Sequence, residues 1–349
     1  MQAAFEVTRE DLAGLLADQP RYRTDQVWRG LWERGARPAD MTDLPKAVRE
    51  RLEAALVPAL HELLRSTSAD GTTTKWLWGL ADGRRVETVL MLYPDRATVC
   101  VSSQAGCAMG CTFCATGQGG FDRQLSVGEI VEQVVNARRE ALPRRLGNVV
   151  FMGMGEPLAN YERVWSAVQR IHSDLGISAR HITVSTVGVV PGIRRLAKEL
   201  LPVNLAVSLH AARDELRDKI VPLNRRHPLS VLMGACREYL AAKGRRLSFE
   251  WALISGVNDT ARDAAELAEL ALPLAAHVNI IPLNPTPGYA GRGTPAAGVA
   301  AFRDWLTEHG VNATVRANRG TDIDAACGQL VARERRQRPA TNTPPQARH

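Results

Sequence analysis

From about residue 96 onward, the chain alternates between short apolar segments and longer amphipathic segments. The apolar segments are rich in β-branched residues, as buried strands are, and they read ATVCVS, NVVFMG, HITVST, VNLAVSL, LSFEWALI and HVNIIPL. Six such units predict an α/β fold in which helices cover a parallel sheet, either doubly wound or curved into a partial (β/α)6 barrel. A later segment, NATVRA, is expected to add a strand. In both architectures ligands bind at the carboxyl ends of the strands.

Local signals mark where the helices between these strands begin and end. Ser126 and Glu129 have the spacing of a capping box at the start of SVGEIVEQVVNARRE. Gly176 and Gly244 follow two other amphipathic segments, where a glycine commonly ends a helix. The sequence therefore predicts helices that start and stop between the strands.

The first part of the chain, residues 1–70, differs in pattern and is predicted to be helical and basic. Thr8 and Thr24 are each placed to cap a helix. The second of these helices carries Trp28 and Trp32 at helical spacing, and we expect both tryptophans in the core rather than in a base-stacking role. These helices are predicted to form a small accessory domain.

A hairpin signature follows, in which Asp82 and Gly83 separate the segments TKWLWGL and RRVETVLML. We expect residues 71–92 to form a β-hairpin that links the accessory domain to the α/β core at 93–325. The basic and proline-containing segment 333–349 is expected to be a disordered tail.

The apolar content, the N-terminal segment and the net charge predict a compartment and a class of partner. No run of about 18 apolar residues occurs, and MQAAFEVTREDL lacks the basic start and apolar centre of a signal peptide. We therefore expect a cytoplasmic protein that has no membrane association. A net charge of +7 favours a polyanionic partner such as nucleic acid, although many soluble proteins are mildly basic.

Cysteine placement is the strongest chemical signal. A cytoplasmic protein of this size does not need disulfides, so clustered cysteines indicate metal or redox chemistry. Cys107, Cys111 and Cys114 follow the first core strand with C-x3-C-x2-C spacing. Three thiolates on one short loop can bind three irons of a [4Fe–4S] cluster and leave the fourth iron open to a ligand such as S-adenosylmethionine (SAM). Reduction of the cluster would then cleave SAM to a deoxyadenosyl radical.

A structural zinc site is the alternative for these cysteines, and it fits less well. Zinc usually takes four ligands in two pairs, and the sequence has no second C-x2-C. Gly106 and Gly110 would let the loop wrap a cluster, and Phe113 would shield the cluster from water.

The cysteine motif, placed after the first strand of a (β/α)6 chain, resembles the radical SAM superfamily. Further motifs, in order, are similar to those of the RlmN/Cfr family of RNA adenine methyltransferases: TVCVSSQAGCAMGCTFCATG, GMGEPLANY, STVGVVPGI, SLHA, IPLNP and ACGQL. The resemblance covers most of residues 20–330. It implies a radical SAM core barrel that uses a [4Fe–4S] cluster and SAM.

The resemblance also implies a SAM pocket at the strand ends, where Glu156 would accept a hydrogen bond from the SAM amino group. Thr186 could replace its neighbour Ser185 in this pocket. The residues implied are Gly155, Glu156, Ser185, Ser208, Leu209, His210 and Asn284.

Two cysteines outside the cluster motif gain a role from the same resemblance. Carbon 2 of adenine is not nucleophilic, so a radical route would need one cysteine that carries the methyl group and a second that releases the product. The family pattern assigns Cys327 as the S-methylcysteine carrier and Cys100 as its partner in a transient disulfide. Cys236 matches no motif and is expected in the core. Glu87 would be the proton acceptor, although taken alone it resembles a residue on a solvated strand face.

The resemblance implies methylation of carbon 2 of an adenosine in 23S ribosomal RNA and also in tRNA. The N-terminal helices would bind and distort the RNA. An electron donor such as flavodoxin would reduce the cluster, and we expect a monomer. Cfr-like methylation of carbon 8 is the nearest alternative. Two different classes of protein also stay open: a non-enzymatic zinc or iron–sulfur RNA-binding protein, and a radical SAM enzyme acting on a small molecule or a protein.

Overall fold

The computed structural model describes residues 2–286, 288–316, 319–326 and 328–330. The strands in these ranges are β1 (Gln2–Ala3), β2 (Leu56–Val57), β3 (His61–Thr67), β4 (Thr73–Gly79), β5 (Arg85–Leu92), β6 (Ala97–Cys100), β7 (Gln104–Gly106), β8 (Phe121–Gln124), β9 (Leu146–Phe151), β10 (Ile182–Thr186), β11 (Asn204–Ser208), β12 (Leu247–Leu253), β13 (His277–Pro282) and β14 (Ala313–Val315).

Helices lie mostly between the later strands, as the alternating pattern predicts. They are α1 (Arg9–Leu15), α2 (Tyr22–Trp32), α3 (Lys46–Ala55), α4 (Ala115–Gln118), α5 (Val127–Ala141), α6 (Tyr161–Ser173), α7 (Val190–Lys198), α8 (Asp214–Ile220), α9 (Leu229–Lys243), α10 (Ala261–Ala271) and α11 (Ala296–Glu308). Among the described residues, no helix has the length and apolar character needed to cross a membrane.

One ten-stranded sheet organises the chain, in the order β14-β13-β12-β11-β10-β9-β6-β5-β4-β3. Strands β6 and β9 to β14 are parallel to one another, and β3 to β6 are antiparallel. The six predicted core strands and the NATVRA strand are all present, which confirms the α/β prediction.

The parallel part of the sheet is curved rather than flat. Met91 of β5 and Thr314 of β14 line the same cavity, although six strands separate β5 from β14 in the sheet order. An open, doubly wound sheet would hold two such residues far apart. The partial-barrel form of the prediction is therefore the correct one, and the carboxyl ends of the parallel strands meet at one rim.

The N-terminal region agrees with the prediction in its helices and differs from it at two points. Thr8 caps α1, and the rings of Trp28 and Trp32 stack in the core with centroids 5.3 Å apart. The prediction that Thr24 caps α2 is wrong, because a turn from Pro20 already starts the helix at Tyr22.

Strand β3 is the second difference, since it falls within the segment that was expected to be helical. It pairs antiparallel with β4 and adds a third strand to the predicted hairpin. Most of its side chains are exposed, so no alternation of apolar and polar residues marked it as a strand. The turn at Asp82 and Gly83 is confirmed by the Leu80 N–H bond to Arg84 O (2.8 Å).

The predicted helix signals in the core also appear in the structure. Ser126 and Glu129 form the capping box of α5. Gly244 ends α9 in the left-handed conformation at φ 56°, and Gly176, at φ 70°, follows shortly after α6 ends. Cys236 is fully buried in the hydrophobic core, as expected.

Candidate active site

The C-x3-C-x2-C loop leaves the barrel rim through the short hairpin β7–β8. Gly106 lies at φ +74°, and a Cβ atom at this position would lie 2.1 Å from Gly120 O. The backbone N–H of Cys107 donates to that same oxygen at 2.7 Å. Only glycine allows the two backbone segments to approach this closely, and their contact aims the first cysteine into the barrel.

All three cysteines line one cavity at the carboxyl ends of the strands, which we call the cluster cavity. Its walls include Cys107, Cys111 and Cys114 from the loop and residues from the ends of β9 to β13. Burial raises the pKa of Cys107 to about 12 and raises the pKa of Cys111 as well. Buried thiols of this kind ionise when positive metal compensates the thiolate charge.

The donor set fits an iron–sulfur cluster better than a single ion. The loop supplies three thiolates to the cavity, whereas a structural zinc site usually takes four ligands. Three sulfurs that share one cavity wall suit a larger, multi-iron group. Phe113, between the last two cysteines, is buried, and its ring packs edge-on against His210 with the ring centroids 4.8 Å apart.

His210 is held in one neutral form. Its backbone lies at φ 60°, and its Nδ1 accepts the backbone N–H of Ala252 at 2.9 Å. The proton of the neutral ring therefore lies on Nε2. Burial and the nearby Arg217 lower the pKa of His210 to about 3. The ring is consequently a hydrogen-bond donor in the cluster cavity across the physiological pH range.

Glu156 follows β9 and is fully enclosed. Its Oε1 accepts from Leu158 N and its Oε2 accepts from Val187 N, each at 2.9 Å. Burial raises the pKa of Glu156 to about 7. The preceding residue, Gly155, has φ +99° and packs against Gln104. Any larger residue would clash there, because its Cβ atom would lie 2.5 Å from the Gln104 side chain. The carboxyl thus joins the loops after β9 and β10 and keeps lone pairs for one further donor.

Six of the seven residues expected in the SAM pocket line the cluster cavity: Gly155, Glu156, Ser185, Ser208, His210 and Asn284. Leu209 does not line it. The Leu209 side chain is buried in the core, while its N–H donates to Glu250 O and its carbonyl accepts from Arg217.

Ser185 and Thr186 both reach the cluster cavity, but their hydroxyls differ in availability. The hydroxyl oxygen of Thr186 accepts the backbone N–H groups of Gly188 and Val189, each at 3.1 Å. These bonds position the start of α7. The hydroxyl of Thr186 is therefore already used, which favours Ser185 as the residue that contacts a ligand.

Arg217 of α8 was not singled out from the sequence, yet it holds the rim together. Its buried guanidinium donates to the carbonyls of Val187, Ser208 and Leu209 at 2.6, 3.3 and 3.0 Å, and to the side chain of Asn224. One side chain thereby joins the loops after β10 and β11. The only signal in the sequence was an arginine on the inner face of a short helix.

A second cavity, which we call the Cys100 cavity, adjoins the cluster cavity. It is lined by Cys100 at the end of β6, by Cys114, and by Ala326 and Gly328. The backbone N–H of Ala115 donates to Gly328 O at 2.8 Å, so the C-terminal segment is joined to the cysteine loop. Cys327, between the last two lining residues, lies outside the described residues.

Glu87 lies on β5 and is buried, so the interpretation as a solvated strand residue is wrong. Its Oε1 lies 3.1 Å from Lys75 Nζ on the neighbouring strand β4. Lys75 also donates to the carbonyl oxygen of Asp324 at 3.1 Å. The lysine therefore connects Glu87 to the segment that leads to Cys327.

Comparison with known proteins agrees with this arrangement. The profile of the Radical SAM superfamily matches residues 101–271. A protein of Frankia casuarinae named as a probable dual-specificity RNA methyltransferase RlmN is 52% identical over 97% of this chain and 84% of its own length. The dual-specificity RNA methyltransferase RlmN 1 of Myxococcus xanthus is 51% identical over 96% of both chains. A radical SAM methyltransferase from Sphaerobacter thermophilus superposes with a TM-score of 0.91 at 48% identity, over 95% of this chain and all of that one.

Proposed function

Because the chain belongs to the RlmN family of radical SAM RNA methyltransferases, we propose that it methylates carbon 2 of an adenosine in 23S ribosomal RNA and also in tRNA. Its cofactors are a [4Fe–4S] cluster and SAM. The names of its relatives specify two kinds of substrate, which suits an enzyme that acts on two RNAs. The same names favour RlmN-type chemistry over the Cfr-like alternative at carbon 8.

One observation carries the proposal: Cys100 and both sequence neighbours of Cys327 line a single cavity together with Cys114 of the cluster loop. A carrier and a resolving thiol must reach each other, and both must lie close to the place where the radical is made. A zinc or iron–sulfur RNA-binding protein would need no second pair of cysteines at this point. Membership of the methyltransferase family also argues against an enzyme acting on a small molecule or a protein.

When bound, the cofactors supply a methyl group and a deoxyadenosyl radical. We propose that the cluster is held by Cys107, Cys111 and Cys114, and that SAM is bound by Gly155, Glu156, Ser185, Ser208, His210 and Asn284. Leu209 positions the loop between Ser208 and His210 through its backbone bonds to Glu250 and Arg217. In this scheme the Cys327 sulfur first accepts a methyl group.

After hydrogen abstraction from that methyl group, its carbon bonds to carbon 2 of the adenine. The adduct must also give up its unpaired electron, which a bound cluster would take back, and Glu87 accepts the proton that carbon 2 loses. Lys75 stabilises the Glu87 carboxylate beforehand. The Cys100 thiolate then attacks the Cys327 sulfur. A disulfide forms, and the electron pair of the broken carbon–sulfur bond stays with the carbon, which takes up a proton to become the methyl group.

The remaining partners follow from the same proposal. We infer that the helices within residues 1–70 bind RNA and that the core spans 93–325, with residues 71–92 between them. An electron donor such as flavodoxin would reduce the cluster, and the enzyme would act as a monomer in the cytoplasm.

Cysteine variants of the reconstituted enzyme test the proposal. Cys327→Ala should abolish methyl transfer and leave SAM cleavage possible. Cys100→Ala should leave RNA covalently attached to the protein, visible as a slow band on a denaturing gel. Cys236→Ala is the matched control, because Cys236 is buried in the core and should not affect either step. Methylation by Cys327→Ala would refute the carrier role, and 8-methyladenosine in the wild-type product would move the assignment to the alternative.

A further inference from the structure

Glu250 is a buried acid on β12 that the chemistry described so far does not use. It is 4% exposed. Its Oε1 accepts the amide of Asn279 at 2.8 Å and the hydroxyl of Ser248 at 3.0 Å. Its Oε2 is buried and has no hydrogen-bond partner among the residues that the structure describes. Burial of a carboxyl oxygen without a partner is costly, so the site calls for a hydrogen-bond donor, which a water, an ion-bound group or a ligand can supply.

Glu250 lies where three cavities meet. It lines the cluster cavity and the Cys100 cavity. It also lines a third cavity at the N-terminal ends of the parallel strands, which we call the arginine cavity. The arginines of that cavity are Arg96, Arg180, Arg246 and Arg316. Their charge suits the phosphates of a nucleotide that enters the barrel from that end.

From this position we propose that Oε2 of Glu250 accepts a hydrogen bond from the exocyclic amino group of the substrate adenine. The inference rests on the proposed function, and it names a residue that selects the base. A carboxylate oxygen is an acceptor, and the amino group is the donor that distinguishes adenine from guanine, which has a carbonyl at the same ring position.

The neighbouring contacts prepare the carboxyl for this role. Because Asn279 and Ser248 hold Oε1, the side chain is fixed with Oε2 directed away from both partners. No side-chain entropy is then lost when a base binds. Burial raises the pKa of Glu250, while the charge of Arg316 and the amide of Asn279 act against that rise.

The position also suits the reacting carbon. In adenine, carbon 2 and the amino-bearing carbon 6 flank the same ring nitrogen. Glu250 and Cys100 line the same cavity. A base whose amino group is held by Glu250 can therefore direct carbon 2 toward the sulfur pair. The adenine of SAM carries an identical amino group, but SAM must bind against the cluster cysteines, whereas the substrate must reach Cys100.

A substrate–enzyme cycle tests the inference. Wild type and Glu250→Ala are each assayed with RNA that carries adenosine or purine riboside, which lacks the amino group, at the target position. We expect wild type to lose about 10- to 100-fold in kcat/KM and in RNA affinity when the amino group is removed. With the adenosine RNA, Glu250→Ala should lose a similar factor in kcat/KM and RNA affinity relative to wild type. With the purine riboside RNA, its kcat/KM and RNA affinity should be close to those of wild type.

Glu250→Gln keeps the side-chain volume and should give the same pattern if the alanine variant folds poorly. Glu132→Gln is the matched control, because Glu132 is also buried but lies on α5, where its carboxylate accepts the N–H of Ala59. That variant should discriminate between the two RNAs as wild type does. RNA affinity measured by fluorescence anisotropy provides the readout that does not depend on turnover.

Two results would overturn the inference. One is an equal loss on both RNAs for Glu250→Ala, and the other is weakened SAM binding by that variant in the absence of RNA, which would assign the acid to the SAM adenine. Failure of the proposed function would look different, since wild type itself would then leave the adenosine RNA without a methyl group.

Discussion

The ammonium of Lys75 lies 3.1 Å from Oε1 of Glu87, and both side chains are largely removed from water. The two residues lie on one face of the β4–β5 hairpin, because Lys75 pairs in register with Val89 and Leu77 pairs with Glu87. This face is turned toward the Cys100 cavity, which Val89 lines. The linking hairpin therefore supplies a buried ion pair on the side of the sheet that faces the Cys100 cavity, where we propose that methyl transfer takes place.

Replacing Lys75 by Met should be strongly destabilising, because it leaves the Glu87 carboxylate buried without its cation. Breaking a buried pair in this way costs about 3–5 kcal/mol. Urea denaturation measures the free energy of unfolding. Lys46→Met is the control, since the Lys46–Glu50 pair is exposed and should contribute under about 0.5 kcal/mol. A Lys75→Met protein as stable as wild type would show that the pair contributes nothing.

His210 should make stability depend on pH in a defined direction. Its pKa in the fold is about 3, against an ordinary value of 6.5. Between these values the unfolded chain binds a proton that the folded protein does not. The contribution of His210 to the free energy of unfolding is therefore fully present above about pH 6.5 and is lost as the pH falls toward 3. The loss should be about 1.4 kcal/mol per pH unit.

His210→Asn provides the comparison, because asparagine tolerates a positive φ and can still accept the N–H of Ala252. Urea denaturation of the apoprotein at pH 7, 6 and 5 should show a shallower decline for the variant. Identical declines for the two proteins would mean that His210 is protonated in the fold at these pH values.

Gly106→Ala should prevent assembly of the cysteine loop. The new methyl group would lie 2.1 Å from Gly120 O at a φ of +74°. The backbone conformation alone costs about 1–3 kcal/mol, and the overlap adds to it. Iron per chain after reconstitution should drop well below that of wild type. Gly234→Ala, a helical position with no atom within 4 Å of the added carbon, should load normally and be equally or more stable. Normal iron content in Gly106→Ala would contradict the role given to this contact.

Arg217→Met should loosen the rim of the cluster cavity. Three carbonyl groups would lose a charged donor, and each unsatisfied buried group costs about 1–3 kcal/mol. We expect a lower melting temperature and weaker SAM binding by calorimetry, because the loops that carry Ser208 and His210 are no longer fixed. Arg226→Met, at an exposed position, is the control. Unchanged SAM affinity in Arg217→Met would limit the arginine to a role in folding.

Features that depend on neighbours along the chain could be predicted from the sequence. The alternating segments indicated the strands and helices of the barrel, and the cysteine spacing indicated a cluster loop. Caps at Thr8, Ser126 and Gly244 were recognisable because each is a bond or turn within a few residues. The expected cap at Thr24 failed because the preceding proline turn had already started the helix.

The amino-acid sequence by itself thus determined the α/β barrel and the cysteines of its first loop, while the tertiary structure decided what those cysteines face. Lys75 meets Glu87, and Glu250 meets three cavities, only because sheet register and curvature bring distant strands around one interior. Burial then gave Glu87 a fixed partner and left Glu250 with one oxygen that has no partner in the described part of the chain. Such effects depend on what surrounds a side chain, and a periodic pattern records only which face it occupies.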